Sequence, residues 1–248
     1  MSKAHKQKLA EHLAQEHGFG RFSANLREII YGGNDGIVTT FAVVAGFSGA
    51  KMYESGAQIG GLVVLMFGLA NLFADGTAMG LGSFLSARSE QDVYKAERAK
   101  ELHEIKHNPQ FERIEALEIL ALKGVKPEDA KKLVDVYESY PELMADFMMA
   151  YELGMADPFD GSPMMEGLMT FGSFLLFGIV PLLPYFFMPA NAQSFQVSIG
   201  LTGLSLLGLG LVRWKITMQS IWRCVGETML IGGVCAAIAY VVGMLFRL

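Results

Sequence analysis

Charge is what this sequence has little of. Only 18% of its 248 residues are Asp, Glu, Lys or Arg, while 52% are hydrophobic. A soluble domain carries about 25% charged residues. Mean hydropathy is +0.33. A basic surplus is also missing: 20 Lys and Arg stand against 25 Asp and Glu, for a net charge of −5. That balance excludes a nucleic-acid binder. Cysteine is nearly absent. Cys224 and Cys235 are the only two, both in apolar sequence, so neither a disulfide framework nor a zinc-finger spacing exists. There is no internal repeat or low-complexity tract, and the apolar content excludes intrinsic disorder.

The charge that is present is unevenly placed. Residues 88–166 hold 18 of the acids and 10 of the bases, a net −8, against +3 for the rest of the chain. This describes a polar, acidic insert inside an apolar protein and excludes a single soluble domain.

A membrane-spanning helix needs about 20 mostly apolar residues. Five segments qualify, over 29–49, 58–86, 167–187, 194–212 and 225–246. The first follows a polar stretch, with no charged region leading directly into a short apolar core and cleavage site, so it is not expected to be a signal peptide. The second is longer than a bilayer requires and is expected to project into water. Pro181 and Pro184 interrupt the third near one membrane face. Lys and Arg alternate across the connections. Lys3, Lys6, Lys8, Arg21 and Arg27 precede the first span; Lys51 alone follows it. The insert is rich in both, 188–193 has none, Arg213, Lys215 and Arg223 mark the fourth connection, and Arg247 alone marks the tail. The rich connections belong in the cytosol, which places the N-terminus and residues 88–166 there and supports five spans. The resulting organisation is a polar, amphipathic segment (1–26), two transmembrane helices (27–87), the cytosolic helical insert (88–166) and three more transmembrane helices (167–248).

The insert reads as helices throughout. Residues 88–107 continue the second span and stop at Asn108-Pro109. A second helix covers 110–123 and ends at Gly124. Pro127-Glu128-Asp129 opens a third, with Pro at the first helical position and acids in the first turn; it stops at Tyr140-Pro141. A fourth covers 142–153 and ends at Gly154.

Ionisable groups inside a span are expensive and are functional candidates for that reason. Asp35 lies early in the first span within Gly33-Asn34-Asp35-Gly36, with Thr39 one turn on along the same face. In the second span Asn71, Asp75 and Met79 recur every four residues as one stripe, beside a small-residue stripe of Gly76 and Gly80. Two acids, an amide and a thioether on aligned faces fit a cation path; the plain alternative is a helix cap at Asp35 and one interhelical hydrogen bond at Asp75. Glu227 reads as an interfacial residue.

In the insert, Glu101 and Glu104 are three apart on one helix, and Glu112, Glu115 and Glu118 are three apart on the next. Met148 and Met149 precede Glu152 on the last. Each set shares a helix face, and facing helices with such pairs can build a carboxylate cage. Carboxylates with thioethers suit Fe²⁺ or another first-row divalent ion better than Ca²⁺ or Cu(I). The plain alternative is a solvated acidic face over a Met-rich core. His103 and His107, four apart, are further candidates. His5, His12 and His17 accompany Leu9 and Leu13 on an expected amphipathic interfacial helix.

Gly33-Asn34-Asp35-Gly36-Ile37-Val38-Thr39-Thr40-Phe41-Ala42 resembles the first-helix signature of the vacuolar iron transporter family, and Ala78-Met79-Gly80-Leu81-Gly82-Ser83-Phe84-Leu85 its second. Asp146-Phe147-Met148-Met149 through Glu152-Leu153-Gly154 resembles the end of its cytosolic domain, and Pro181-Leu182-Leu183-Pro184-Tyr185 its third helix. The resemblance covers residues 27–248. It implies an all-α integral membrane protein of five transmembrane helices, a homodimer, with a cytosolic helical metal-binding domain inserted between helices two and three. It implies export of Fe²⁺ from the cytosol in exchange for protons, into a vacuole or out of the cell, with Mn²⁺ also carried by some members. By matching position, Asp35 and Met79 correspond to transport-path ligands, and Glu101, Glu104, Glu112, Glu115, Met148, Met149 and Glu152 to cytosolic ligands. Two positions depart: Asn71 stands where plant members have an acid, and Asp75 where they have a small residue, one helical turn along the same face.

The expected substrate and bound ion is therefore Fe²⁺, with Mn²⁺ or Zn²⁺ as alternatives and no organic cofactor; no catalysis is expected. The expected membrane is the inner membrane of a bacterium or the vacuolar membrane of a eukaryote. Two other classes remain on sequence grounds: a membrane-anchored iron buffer or sensor, and a carboxylate-bridged ferroxidase. A buffer has no use for Asp35, Asp75 and Met79 in lipid. The ferroxidase lacks paired Glu-x-x-His motifs, since Glu104 to His107 is a single copy.

Overall fold

The computed structural model describes residues 25–50, 57–159 and 161–245. Among them are nine α-helices, one 3₁₀ turn and no strand. In chain order they are α1 (Leu26–Gly49), α2 (Ala57–His107), α3 (Pro109–Leu122), α4 (Pro127–Glu138), α5 (Pro141–Tyr151), α6 (Pro163–Gly178), the 3₁₀ turn (Val180–Leu182), α7 (Leu183–Phe187), α8 (Ala192–Thr217) and α9 (Ile221–Leu245). The expected N-terminal helix with His5, His12 and His17 lies outside the described residues. Two compact units result: Leu85–Pro163, and the remainder. Helix α2 contributes residues to both.

Proline and glycine set the helix ends where their chemistry requires. Pro109, Pro127 and Pro141 each open a helix, where a missing N–H costs nothing. Helix α3 closes with Gly124 at φ +83° while Val125 N donates to the Leu120 carbonyl at 3.0 Å. That left-handed conformation is one glycine adopts without penalty. Helix α8 opens with a reciprocal cap: the Asn191 side chain accepts from Ser194 N at 2.9 Å, and Ser194 Oγ accepts from Asn191 N at 2.9 Å.

Among the described residues, four stretches are long and apolar enough to cross a membrane by length and composition: Gly60–His107, Pro163–Phe187, Ala192–Thr217 and Ile221–Leu245. Helix α1, the first span expected from sequence, has 24 residues. Asn34 and Asp35 in its first half, with Arg27 and Glu28 at its start, keep it out of that set. It is nonetheless the helix on which others pack, touching α6, α8 and α9. The core of this unit gathers Phe41, Val44 and Ala45 with Val64, Leu182, Tyr185 and Ala190, and a second cluster joins Ile37 to Leu206 and Leu209. Outside it, Leu81, Leu204, Leu230 and Ile238 are exposed. Apolar surface of that kind is a liability in water and a requirement in lipid.

Contact between α1 and α6 is backbone to backbone. A Cβ on Gly36 would collide with the Phe174 carbonyl oxygen, and one on Gly32 would stand 2.5 Å from the Thr170 carbonyl oxygen. Gly76 and Gly80 of α2 meet Phe174 and Phe171 of the same helix, so the expected small-residue stripe is used to admit α6.

Candidate metal centre

In the Leu85–Pro163 unit, the apolar residues of α3, α4 and α5 make one core with the end of α2. Ile105, Ala116, Leu120, Ala130, Val134, Met144, Ala145, Phe147 and Met148 are all buried in it. Two arginines tie its rim. Arg98 reaches Glu142 and Asp146, each at 2.8 Å, joining α2 to α5. Arg113 reaches Asp135 at 2.6 Å and also Glu138, joining α3 to α4. Neither arginine was singled out from sequence. Arg113 stands alone between Glu112 and Glu115, but Arg98 sits among Lys95 and Lys100 and carries no such signal.

This packing brings Glu101 of α2, Glu112 of α3 and Glu152, which caps α5, to one place. One carboxylate oxygen from each lies within 4.8 Å of the other two. Glu101 is 7% exposed and Glu112 4%; Glu152 forms the open side. Glu101 Oε1 and Glu112 Oε2 are buried and meet no donor group among the described residues, so the one hydrogen bond open to them is a proton shared between the two carboxyls. Buried acceptors of this kind are costly unless something electropositive completes them.

The acids act on each other accordingly. Burial, then the hydrogen bond with Glu101, then the charges of Glu101, Glu115 and Glu152 push the Glu112 carboxyl up to about 8. Burial also raises Glu101, against the opposing effect of its hydrogen bond with Glu112, and the charges of Glu115 and Glu104 add to the rise. Glu152 is raised by partial burial of its carboxyl and by Glu101 and Glu115. With Glu112 at about 8, the trio holds a proton at neutral pH, which any cation bound there would displace. Hard oxygen donors without a cationic partner among the described residues suit such an ion.

The other expected ligands divide. Glu115 is half-buried and its charge reaches all three members of the trio. Glu104 is exposed and accepts from Asn108 Nδ2 at 2.5 Å, leaving it outside the trio. Met148 and Met149 are fully buried; Met148 belongs to the core, and Met149 sits one turn before Glu152 without joining that cluster. Glu118 is exposed. His103 and His107 are exposed, their rings stacked at 3.9 Å with His107 Nδ1 at 2.8 Å from the His103 carbonyl oxygen.

In the other unit, Asp35, Asn71, Asp75 and Met79 are all half-buried. The negative charge of Asp75 acts on Asp35, so the two acids from different helices are brought within electrostatic reach. Thr39 Oγ1 donates to the Asp35 carbonyl at 2.8 Å, an ordinary back-bond within the helix. Glu28, absent from the sequence candidates, is only 8% exposed. It precedes Asp35 by seven residues, which is two helical turns and the same face.

The family model for the VIT family matches residues 26–244. The chain belongs to that family. The match runs over most of this chain and of each relative. Vacuolar iron transporter 1 of Tulipa gesneriana is 36% identical over 234 residues, covering 93% of this chain and 92% of its own. Vacuolar iron transporter 1 of Arabidopsis thaliana is 34% identical over 238 residues, covering 95% and 90%. The vacuolar iron transporter of Toxoplasma gondii is 34% identical over 232 residues, covering 90% of this chain and 74% of its own. These members of the family are named for transport, not for catalysis.

Proposed function

We propose that this chain is a proton-coupled transporter that moves Fe²⁺, and with it Mn²⁺, out of the cytosol. The observation that carries the reading is the meeting of Glu101, Glu112 and Glu152 around two buried oxygens that meet no donor group among the described residues, in a chain that also keeps Asp35 and Asp75 within mutual reach in its apolar unit. The names of the relatives support iron as the cargo.

In this reading α1 is the fifth span, residues 88–166 and the N-terminus face the cytosol, and two copies assemble as a homodimer. The Lys and Arg alternation and the family resemblance support that topology. The glutamate trio takes a divalent ion from the cytosol and releases the proton on Glu112. Glu115 adds charge beside it, and Met149 stands near as a soft donor. Asp35, Asp75 and Met79 then pass the ion through the membrane. A carboxylate in the apolar unit holds either a proton or a metal, and that competition couples their opposite movements. In the vacuolar membrane the export runs into the vacuole; in a bacterial inner membrane it runs out of the cell.

Metal flux in proteoliposomes tests this directly. Fe²⁺ uptake should accelerate when the side receiving the metal is made acidic, and the lumen should lose protons as metal enters. Binding without flux would establish a buffer instead, and consumption of Fe²⁺ with appearance of Fe³⁺ would establish a ferroxidase.

A further inference from the structure

The only two tryptophans of the chain lie at one corner. Trp214 is in the last turn of α8, residues 218–220 reverse the chain, and Trp222 opens α9. Trp222 is 85% exposed, Met218 83% and Trp214 41%. In water such an indole leaves a large apolar ring unburied. At the level of lipid headgroups the ring is covered and its N–H still finds acceptors. Both helices are long and apolar enough to cross a membrane, and this corner is where the first ends and the second begins.

Positive charge gathers at the same place. Residues 167–248 contain four bases and one acid, in a chain of net charge −5. Arg213, Lys215 and Arg223 are three of those bases, and Glu227 is the acid. Glu227 sits between the two arginines: Oε2 accepts from Arg213 Nη2 at 2.7 Å, and Oε1 from Arg223 Nε at 3.0 Å. One carboxylate balances one guanidinium. Each guanidinium has five N–H donors and engages Glu227 through one nitrogen, so both keep donors for a second anion. Lys215 is exposed and makes no ion pair among the described residues. Packing beneath fixes this geometry. A Cβ on Gly210 would stand 2.9 Å from Val225 Cα, so α8 and α9 meet backbone to backbone about one turn inside the arginines. Cys224 is fully buried there. Met218 closes α8 at φ +53°, the only non-glycine residue in the left-handed region among the described residues, with its N–H on the Trp214 carbonyl at 3.1 Å.

From the exposed tryptophans and the surplus of positive charge we propose that the α8–α9 corner binds the headgroup of an anionic phospholipid, with Arg213, Arg223 and Lys215 on its phosphate and the two indoles in the headgroup layer. A zwitterionic lipid carries its own cation beside the phosphate and gains less from a basic corner. In the orientation proposed above the corner faces the cytosol, and the cytosolic leaflet is the one that attracts basic segments near the membrane. The inference needs only that α8 and α9 lie in a bilayer, so it stands or falls apart from transport.

Because the chain has no other tryptophan, its fluorescence reads this corner alone. The full chain is reconstituted in phosphatidylcholine with a minor share of phosphatidylglycerol, and one lipid or the other carries bromines high in its acyl chains as a contact quencher. In the wild type, quenching should place phosphatidylglycerol beside the tryptophans at about five-fold or more its bulk share. Lys215→Gln with Arg223→Gln leaves Arg213 balanced by Glu227 and should return that share to the bulk value, with the elution profile unchanged. Lys215→Arg should keep the enrichment. Raising the salt concentration should erode it in the wild type, a readout that needs no variant. Bulk-share quenching in the wild type, enrichment that salt leaves unchanged, or enrichment retained in the double variant overturns the proposal. Quenching by neither lipid also overturns it, since the indoles would then lie against protein or water. Loss of the enrichment when inorganic phosphate replaces chloride at equal ionic strength overturns it in favour of a soluble anion.

Discussion

Glu112 is where burial and charge conflict most. Its carboxyl ordinarily titrates near 4.5, and here it is pushed up to about 8 by burial and by its acidic neighbours. The folded state therefore prefers the protonated form. That preference stabilises the metal-free protein fully below pH 4.5, and it is lost as pH rises through about 8. Metal-free protein in chelator should accordingly melt at a lower temperature at pH 8.5 than at pH 5, by at least about 2–4 °C. Glu112→Gln, neutral at every pH, should flatten that slope while weakening divalent-metal binding. An equal slope in wild type and Glu112→Gln would show that the destabilising charge lies elsewhere. Asp35 is the corresponding residue of the apolar unit. Asp35→Asn keeps the shape and cannot exchange a proton for a metal, so flux should fall at least about a hundred-fold, with expression and elution profile unchanged. Retained flux in that variant would remove Asp35 from the path.

At the scale of elements, helix boundaries were legible because local chemistry decides them. Pro109, Pro127, Pro141, Gly124 and Gly154 place the ends of α3, α4 and α5 within two residues of expectation. Pro181 and Pro184 mark the α6 break for the same reason. The glutamate trio was legible only as a superset. Spacing puts Glu101 with Glu104, and Glu112 with Glu115, each pair on one face, but spacing along a helix cannot say which member a neighbouring helix will cover. Packing chooses Glu101 and Glu112, and it leaves Glu104 to Asn108. Arg98, seen only in three dimensions, holds α5 to α2 through Glu142 and Asp146. Both acids are well exposed, and exposed pairs contribute about 1 kcal/mol or less. Arg98→Ala should therefore lower the melting temperature by only about 2–4 °C. Because α5 carries Glu152 into the trio, the same change should weaken metal binding by about three- to ten-fold, measured by calorimetry on the full chain. Unchanged affinity would mean that the α5 core residues alone position Glu152.

At the scale of the molecule, the proposed transport reading divides capture and passage between the two units, and damage to each should then differ in kind. Glu112→Ala with Glu115→Ala removes one trio ligand and the acid whose charge reaches all three. The apolar unit is untouched, so an ion that does enter still finds Asp35, Asp75 and Met79. The metal concentration for half-maximal flux should rise about ten-fold or more, and maximal flux should be largely recovered at high metal. Acidifying the cytosolic side should mimic this defect in the wild type, because the trio binds metal only after losing its proton. Met79→Ala takes a soft donor out of the path itself. It should lower maximal flux several-fold with little change in half-saturation, and excess metal should not rescue it. Initial rates in proteoliposomes over a wide range of Fe²⁺ concentration separate the two signatures. A double glutamate variant that loses maximal flux at saturating metal, beside a Met79→Ala rescued by excess metal, would reverse the assignment: the glutamates would then be part of the conducting step, and the intramembrane stripe a site of selection.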